Sequence, residues 1–267
     1  MIQVGISLIA LAVLLLDTHP KTEYNNLKSP QKGLYPMNLN QTNQPTNQLT
    51  HPPTNQSINP LINLPTNPPT HPQKLTVALT GGVGSGKSRV LELLNKEYNA
   101  RIIQTDHVAK RLEEPGRAGF KALVDEFGAG ILGPDGRLDK DTLAGMIFTD
   151  AHARERVNQL IHPLVWEYVK DQAETGGEAI FVVESALVLE NPGDFFREIW
   201  YVYTLREQRV RRLMESRGYS VERCRRMMAG QPSEEEYRKH ADYVIDNNGS
   251  MDAVREQIRR RLGAAGR

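Results

Sequence analysis

The residues best suited to chemistry lie in a glycine-rich segment, residues 81–88, which reads GGVGSGKS and follows the apolar run 75–80. Its spacing is G-x-x-x-x-G-K-S, and a helical pattern begins at Ser88. Glycines permit positive φ and close backbone approach, so successive N–H groups can turn inward around a phosphate. Lys87 is placed to meet the β- and γ-phosphates and Ser88 to offer a hydroxyl to Mg²⁺. The helix dipole points at the same anions.

A bare turn between a strand and a helix is the alternative interpretation of this segment. Such a turn needs one or two glycines and no Lys-Ser pair at a fixed offset. We therefore predict a nucleoside triphosphate site formed by Gly82, Val83, Gly84, Ser85, Gly86, Lys87, Ser88 and Arg89. The motif alone does not separate kinases, GTPases and motor ATPases.

Two acidic residues follow short apolar strands. Asp106 comes after the strand predicted at 101–104, and Glu184 ends the strand predicted at 179–184. Ligands bind beyond the carboxyl ends of parallel strands, so Asp106 is expected beside the phosphate loop. Glu184 is a candidate Mg²⁺ ligand. The alternatives are a helix N-cap role for Asp106 and a surface position for Glu184.

Strand and helix patterns alternate along the rest of the chain. They predict an α/β fold with the phosphate-loop kinase architecture, a five-stranded parallel sheet flanked by helices. The predicted strands are 75–80, 101–104, 179–184, 199–203 and 243–245. The predicted helices are 88–97, 107–112, 117–127, 139–148, 150–172, 206–217 and 251–262, with a helix-turn-helix over 221–239.

Two helical segments are longer than a simple crossover connection between parallel strands requires. Residues 110–175 are expected to form a helical insertion that covers the open end of the sheet and binds a second substrate. His162-Pro163 interrupts its last helix, where proline kinks or restarts the helix and His162 is a packed polar residue on local grounds. Residues 206–240 are expected to form a small lid, whose first helix carries five arginines. One or two of these could stabilise charge on a transferring group, while most are solvated or paired.

The chain changes composition at Lys74. Eleven of the 16 prolines precede it, residues 4–16 are apolar without a basic start, and residues 40–71 repeat every four residues. We expect residues 1–73 to be a disordered low-complexity extension and residues 74–263 to form the folded domain. One hypothesis places residues 1–73 upstream of the natural start. The alternative is a flexible polar tail without chemistry.

Charge and cysteine content restrict the partners of the folded domain. The formal net charge is +1, which gives no electrostatic argument for nucleic-acid or membrane binding. Cys224 is the only cysteine, so an intramolecular disulfide is excluded, and no Cys/His cluster suggests zinc. We expect a cytoplasmic protein that is a monomer or a weak homo-oligomer.

Many short matches in a fixed order make this sequence resemble the dephospho-coenzyme A kinases. They are residues 80–88, 105–106 with 109–112, 115–116 with 127–128, 135–139, 161–163, 212–213 with 217, 231 and 241–249. The resemblance implies transfer of the γ-phosphoryl group of ATP, with Mg²⁺, to the ribose 3'-hydroxyl of dephospho-coenzyme A. This reaction is the last step of coenzyme A synthesis.

The resemblance also implies roles for single residues. Asp106 would orient or deprotonate the acceptor hydroxyl, and Lys87, Arg212 and Arg217 would stabilise the transferring phosphoryl group. Asn247 would lie near adenine. The acceptor would contact Asp106, Gln231 and the helices around His162.

Three positions depart from the family pattern. Gln104 replaces the first aspartate of D-x-D, Arg89 replaces a threonine, and the segment 184–190 keeps acids at both ends but lacks the usual proline. Two further functions remain as alternatives, namely another small-molecule or nucleoside monophosphate kinase and an ATP sensor without turnover. A GTPase is disfavoured because the chain has no N-K-x-D motif.

Overall fold

The computed structural model describes residues 74–185, 188 and 195–265. The predicted disorder of residues 1–73 lies outside the described residues, as does the acid at Glu190.

Within the described residues, five parallel strands form one sheet in the order β2-β3-β1-β4-β5. They are Leu75–Thr80 (β1), Arg101–Gln104 (β2), Ile180–Glu184 (β3), Glu198–Tyr203 (β4) and Tyr243–Asp246 (β5). The predicted strands and the parallel sheet are confirmed, with boundaries that agree to one residue. β1 and β3 are apolar because helices cover both faces of the sheet; Val77, Leu79, Phe181 and Val182 are fully buried.

Helices flank this sheet on both sides. They are Lys87–Tyr98 (α1), Thr105–Leu112 (α2), Ala118–Phe127 (α3), Lys140–Thr149 (α4), Ala151–Thr175 (α5), Arg206–Arg217 (α6), Val221–Ala229 (α7), Glu234–His240 (α8) and Met251–Ala265 (α9). One hydrophobic core joins α1 and α9 to the sheet, and a second joins the sheet to the helical block α2–α5. The block packs against β2 and β3.

The longest helix, α5, continues without a break through Pro163, so the prediction that proline restarts the helix is wrong. Proline lacks the N–H that would donate to residue 159, and its ring crowds the preceding turn. Val157, Ile161 and Val165 are buried on the core-facing side of the same helix. Their packing on both sides of Pro163 outweighs the loss of one backbone hydrogen bond.

The lid comprises α6, α7 and α8 and has a small core of its own, formed by Leu213, Tyr219, Cys224 and Met228. Ser233 begins α8 with a capping box, accepting from the Glu236 N–H while the Glu236 side chain accepts from the Ser233 N–H. In the part of the chain that the structure describes, no helix combines the length and apolar character needed to cross a membrane.

Candidate active site

The glycine-rich segment forms a loop, residues 81–86, between the end of β1 and the start of α1. Gly84 and Gly86 have φ values of 78° and 93°, which favour glycine over residues with a side chain. A Cβ atom at Gly86 would lie 2.2 Å from the side-chain nitrogen of Asn247, so close packing also requires glycine there. The loop and the first turn of α1 together form an anion-binding geometry.

Lys87 links this loop to the end of β3. Its Nζ donates a hydrogen bond to the Gly81 carbonyl at 2.7 Å and lies 3.5 Å from Glu184 Oε1. Ser88 and Arg89 are exposed in the first turn of α1, directly after the loop. The lysine is therefore held between the phosphate loop and an acidic strand end.

Glu184 is half-buried at the carboxyl edge of the sheet, which excludes the surface alternative. Gln104 lies opposite Glu184 in the register of β2 and β3, and its Nε2 donates to Glu184 Oε2 at 2.7 Å. The amide that replaces a family aspartate thus holds one carboxylate oxygen and leaves the other near Lys87. Sequence analysis did not predict this pairing. Both residues end their strands, and β2 and β3 are neighbours in the sheet.

Asp106 is the second residue of α2, and the N-cap is Gln104, so the interpretation of Asp106 as a helix cap is wrong. Asp106 is exposed, and the protein atoms around it displace part of the hydration shell of its carboxyl group. This desolvation, together with the negative charge of Glu184, raises the pKa of Asp106 to about 6. Lys110 and Lys87 act in the opposite direction. A carboxyl group with this pKa can accept a proton near neutral pH.

The α2 face that carries Asp106 continues over Lys110 and Glu113, which follow it by four and seven residues. Burial raises the pKa of Glu113 to about 7, and the positive charges of Lys140 and Lys110 oppose this shift. Burial also lowers the pKa of Lys110. Lys110 therefore lies near Asp106 and Lys140 lies near Glu113, and sequence analysis had assigned neither lysine a role.

Arg212 and Asn247 both contact the backbone of the phosphate loop. Arg212 Nη1 and Asn247 Nδ2 donate to the Ser85 carbonyl at 3.3 Å and 2.7 Å, and the Thr204 hydroxyl donates to it at 2.9 Å. Arg212 Nη2 also donates to the Asn247 carbonyl at 2.7 Å. Asn247 is only 3% exposed, so its side chain supports the loop from below. Thr204 was not predicted from the sequence.

Gln231 lies at the phosphate loop. Its Oε1 accepts from the Val83 N–H at 3.1 Å and from Arg209 Nη2 at 2.6 Å. Arg209 was not singled out in the sequence, although it precedes Arg212 by three residues and therefore lies on a neighbouring face of α6. Arg217 is exposed at the far end of α6, with its guanidinium carbon 6.0 Å from the centre of the Tyr219 ring.

His162 is half-buried on α5, in the helical block. Burial lowers the pKa of His162, which favours the neutral imidazole at pH 7. Its Nε2 is buried and has no hydrogen-bond partner among the described residues; Asn158 Oδ1, one turn earlier on the same helix, is in the same condition. Two buried polar atoms without a hydrogen-bond partner among the described residues therefore lie four residues apart on this helix.

The residues present fit a magnesium ion that is shared with nucleotide phosphates. Among the described residues, no group of three acidic, His or Cys side chains could hold a metal ion alone. Mg²⁺ is usually bound through one or two carboxylates together with phosphate oxygens. The Ser88 hydroxyl and the Glu184 carboxylate match that incomplete protein shell.

The chain was compared with known proteins. The family model described as dephospho-CoA kinase matches residues 75–253. A dephospho-CoA kinase of Corynebacterium glutamicum is 36% identical over 189 residues, which cover 69% of this chain and 96% of that protein. A dephospho-CoA kinase of Corynebacterium efficiens is 37% identical over 190 residues, covering 70% and 94% of the two chains.

A solved structure agrees with the fold. The crystal structure of TT1252 from Thermus thermophilus has a TM-score of 0.62 at 28% sequence identity, and the match covers 72% of this chain and 97% of that one. The family model matches well over half of this chain, and the relatives are matched over nearly their whole length. The chain belongs to the dephospho-CoA kinase family.

Proposed function

We propose that this protein phosphorylates the ribose 3'-hydroxyl of dephospho-coenzyme A with ATP, giving coenzyme A and ADP in coenzyme A biosynthesis. The observation that carries this conclusion is the position of Asp106 beside a complete phosphate loop, in a chain that belongs to the dephospho-CoA kinase family. The loop accounts for the donor, and a carboxyl group with a pKa of about 6 accounts for activation of an alcohol.

The phosphate loop, Lys87 and Ser88 bind the triphosphate in this proposal. Loop N–H groups and the α1 dipole hold the phosphates, and Lys87 moves from its contacts with Gly81 and Glu184 to the β- and γ-phosphates. Arg89, exposed in the first turn of α1, adds positive charge near them. Ser88 and Glu184 would hold Mg²⁺, which when bound neutralises charge on the β- and γ-phosphate oxygens.

The acceptor hydroxyl is proposed to lie against Asp106. Its oxygen forms a bond to the γ-phosphorus while the bond from that phosphorus to the β-γ bridging oxygen breaks, and ADP carries away the electron pair. The hydroxyl proton passes to the Asp106 carboxylate. We propose that Lys110 and Lys140 bind the diphosphate group of dephospho-coenzyme A. His162 on α5 is proposed to bind other polar groups of the same acceptor.

The lid arginines and Asn247 are proposed to act on the donor side. Arg212 and Asn247 hold the Ser85 carbonyl, which fixes the loop around the phosphates, and Asn247 is proposed to lie near the adenine. Arg217 is exposed at the end of α6, from which lid closure would bring its guanidinium toward the transferring group. Closure would also exclude water and suppress ATP hydrolysis.

We also propose a cytoplasmic monomer or weak homo-oligomer that does not bind nucleic acid or associate stably with membranes. The large apolar side chains that are exposed among the described residues, Phe148, Leu205 and Met214, are scattered over two helices and one loop. Isolated side chains of this kind do not form a docking surface. ATP and the acceptor are small soluble metabolites.

The test is an ADP-release assay with ATP, Mg²⁺ and one acceptor at a time: dephospho-coenzyme A, AMP, CMP, pantothenate or water. We expect turnover with dephospho-coenzyme A alone. Turnover with AMP or CMP instead would identify a nucleoside monophosphate kinase on the same fold. ATP binding without turnover would identify a sensor, and Lys87→Ala would then remove binding with no activity to lose.

A further inference from the structure

One residue of the phosphate loop, Val83, is held by the lid through both of its backbone polar groups. Arg209 on α6 donates from Nε to the Val83 carbonyl at 2.8 Å, and Gln231 accepts from the Val83 N–H at 3.1 Å. Arg209 Nη2 donates to the same Gln231 oxygen at 2.6 Å. The three groups form a closed ring of hydrogen bonds, which fixes the orientation of the Val83 peptide units.

The side chain of Val83 is bound to the lid as well. It packs against the lid core of Leu213, Tyr219, Cys224 and Met228. The neighbouring Gly82 lies under the Arg209 guanidinium, since a Cβ atom there would fall 2.1 Å from Arg209 Nη2. The lid is therefore built directly on the phosphate loop, and displacing either one breaks hydrogen bonds and exposes apolar surface.

Arg209 places a positive charge behind the loop without a carboxylate partner among the described residues. Its hydrogen bonds go to the neutral oxygens of Val83 and Gln231. The guanidinium is half-buried, and the burial lowers the pKa of Arg209. A partly desolvated cation of this kind is stabilised by an anion nearby, and the anions of this site are nucleotide phosphates.

We propose that Arg209 and Gln231 are positioning residues for ATP, which hold the Val83 peptide so that the phosphate loop is preformed for the triphosphate. The inference rests on the proposed function, because it assigns both residues to the donor side of that site. It also moves Gln231 from the acceptor side, where the family resemblance had placed it, to the ATP side.

The test measures ATP binding to the full-length chain by calorimetry without an acceptor. Gln231→Leu and Arg209→Ala should each weaken ATP binding about tenfold, because each removes hydrogen bonds that include a charged donor or the half-buried Val83 N–H. The double variant should lose far less than the product of the two effects, since both residues act through one ring of hydrogen bonds.

Two matched variants separate positioning from general damage. Gln231→Asn keeps a neutral amide that is one methylene shorter, so its ATP affinity should lie between those of wild type and Gln231→Leu. Arg211→Ala removes an exposed arginine from the same helix and should leave ATP affinity unchanged. Steady-state kinetics of Gln231→Leu should show a raised KM for ATP and an unaltered KM for dephospho-coenzyme A.

Normal ATP affinity in Gln231→Leu and Arg209→Ala would overturn the inference, and so would a double variant whose loss equals the product of the two single losses. A change confined to the acceptor KM would return Gln231 to the acceptor side. These results leave the proposed function intact as long as the wild-type protein binds ATP and turns over dephospho-coenzyme A. A wild-type protein that binds no ATP would overturn the proposed function and this inference together.

Discussion

Asp106 lies where two opposite requirements meet. A general base must be ionised near neutral pH, yet desolvation and the charge of Glu184 raise the pKa of Asp106 to about 6. The raised pKa makes the carboxylate a better proton acceptor than an ordinary aspartate, and half of it remains ionised at pH 6. Replacement of Asp106 should therefore affect turnover and stability in different ways.

We expect Asp106→Asn to lower turnover by on the order of a hundredfold or more, because the amide cannot accept the hydroxyl proton. Wild-type kcat/KM for the acceptor should rise with pH through about 6, and this rise should be absent from the residual activity of the variant. ATP affinity should stay within about twofold of wild type. A change in turnover of only a few fold would remove Asp106 from the chemical step.

Whereas Asp106→Asn should lower turnover, it should raise the stability of the protein relative to wild type at neutral pH. The pKa of Asp106 in the folded protein lies above its unfolded value of 3.8, so the folded state binds the proton more tightly. The contribution of Asp106 to stability is therefore present below about pH 4 and is lost as pH rises through 6. Urea unfolding at pH 4 and pH 7 should show that Asp106→Asn is relatively more stable than wild type at pH 7. Comparison with wild type cancels the similar effect of Glu113, whose pKa is also raised.

Gln104 offers a second test at this scale. Its amide holds Glu184 Oε2 at 2.7 Å, and Gln104→Leu would leave that oxygen without a donor. We expect turnover to fall about tenfold while the urea midpoint changes little, since the pair lies at an open sheet edge. The turnover of Gln104→Asn, which has a shorter side chain with the same amide group, should lie between those of wild type and Gln104→Leu. Wild-type kinetics in Gln104→Leu would show that Glu184 needs no support from β2.

At the scale of elements, α5 shows packing overriding a local rule. Proline in a helix interior costs about 3 kcal/mol relative to alanine, yet α5 passes through Pro163. The lid shows a related effect, because α6 packs on the glycines of the phosphate loop. The continuity of α5 through Pro163 and the packing of α6 on the phosphate loop depend on contacts that are distant in the sequence, so neither is predictable from local residues, although both helices are.

Pro163→Ala should raise the free energy of unfolding by about 1 kcal/mol, because the new N–H can complete the helix ladder while the unfolded chain gains some freedom. Pro163 is exposed, so the change removes little packing. Lys170→Ala, also exposed on α5, controls for helix propensity and should alter stability by less than about 0.5 kcal/mol. A loss of stability in Pro163→Ala would mean that the proline fixes a bend that the core requires.

At the scale of the whole molecule, the site is assembled at one edge of the sheet. β1, β2 and β3 bring the phosphate loop, Asp106 and Glu184 together, and the segments after β4 and β5 bring Thr204 and Asn247 under the loop. Every residue assigned to the site lies between residues 82 and 247. The family match, residues 75–253, encloses the same region.

Removal of residues 1–73 should therefore leave kcat and both KM values within about twofold of the full chain. The measurement is ADP release by the full chain and by a chain that begins at Lys74, at equal concentrations of active enzyme. A large loss of activity would show that the N-terminal segment contributes to the domain.

The sequence by itself determined the five strands, most helix boundaries, the phosphate loop and the family, because these depend on local periodicity, fixed motif spacing and turn residues. It also placed Asp106 and Glu184 at strand ends, since parallel strands share one functional edge. Only the tertiary structure decided that Gln104 supports Glu184, that Gln231 and Arg209 hold Val83, and that Asn247 lies under the loop. These contacts join residues 80 to 162 positions apart, and no local pattern records such distances.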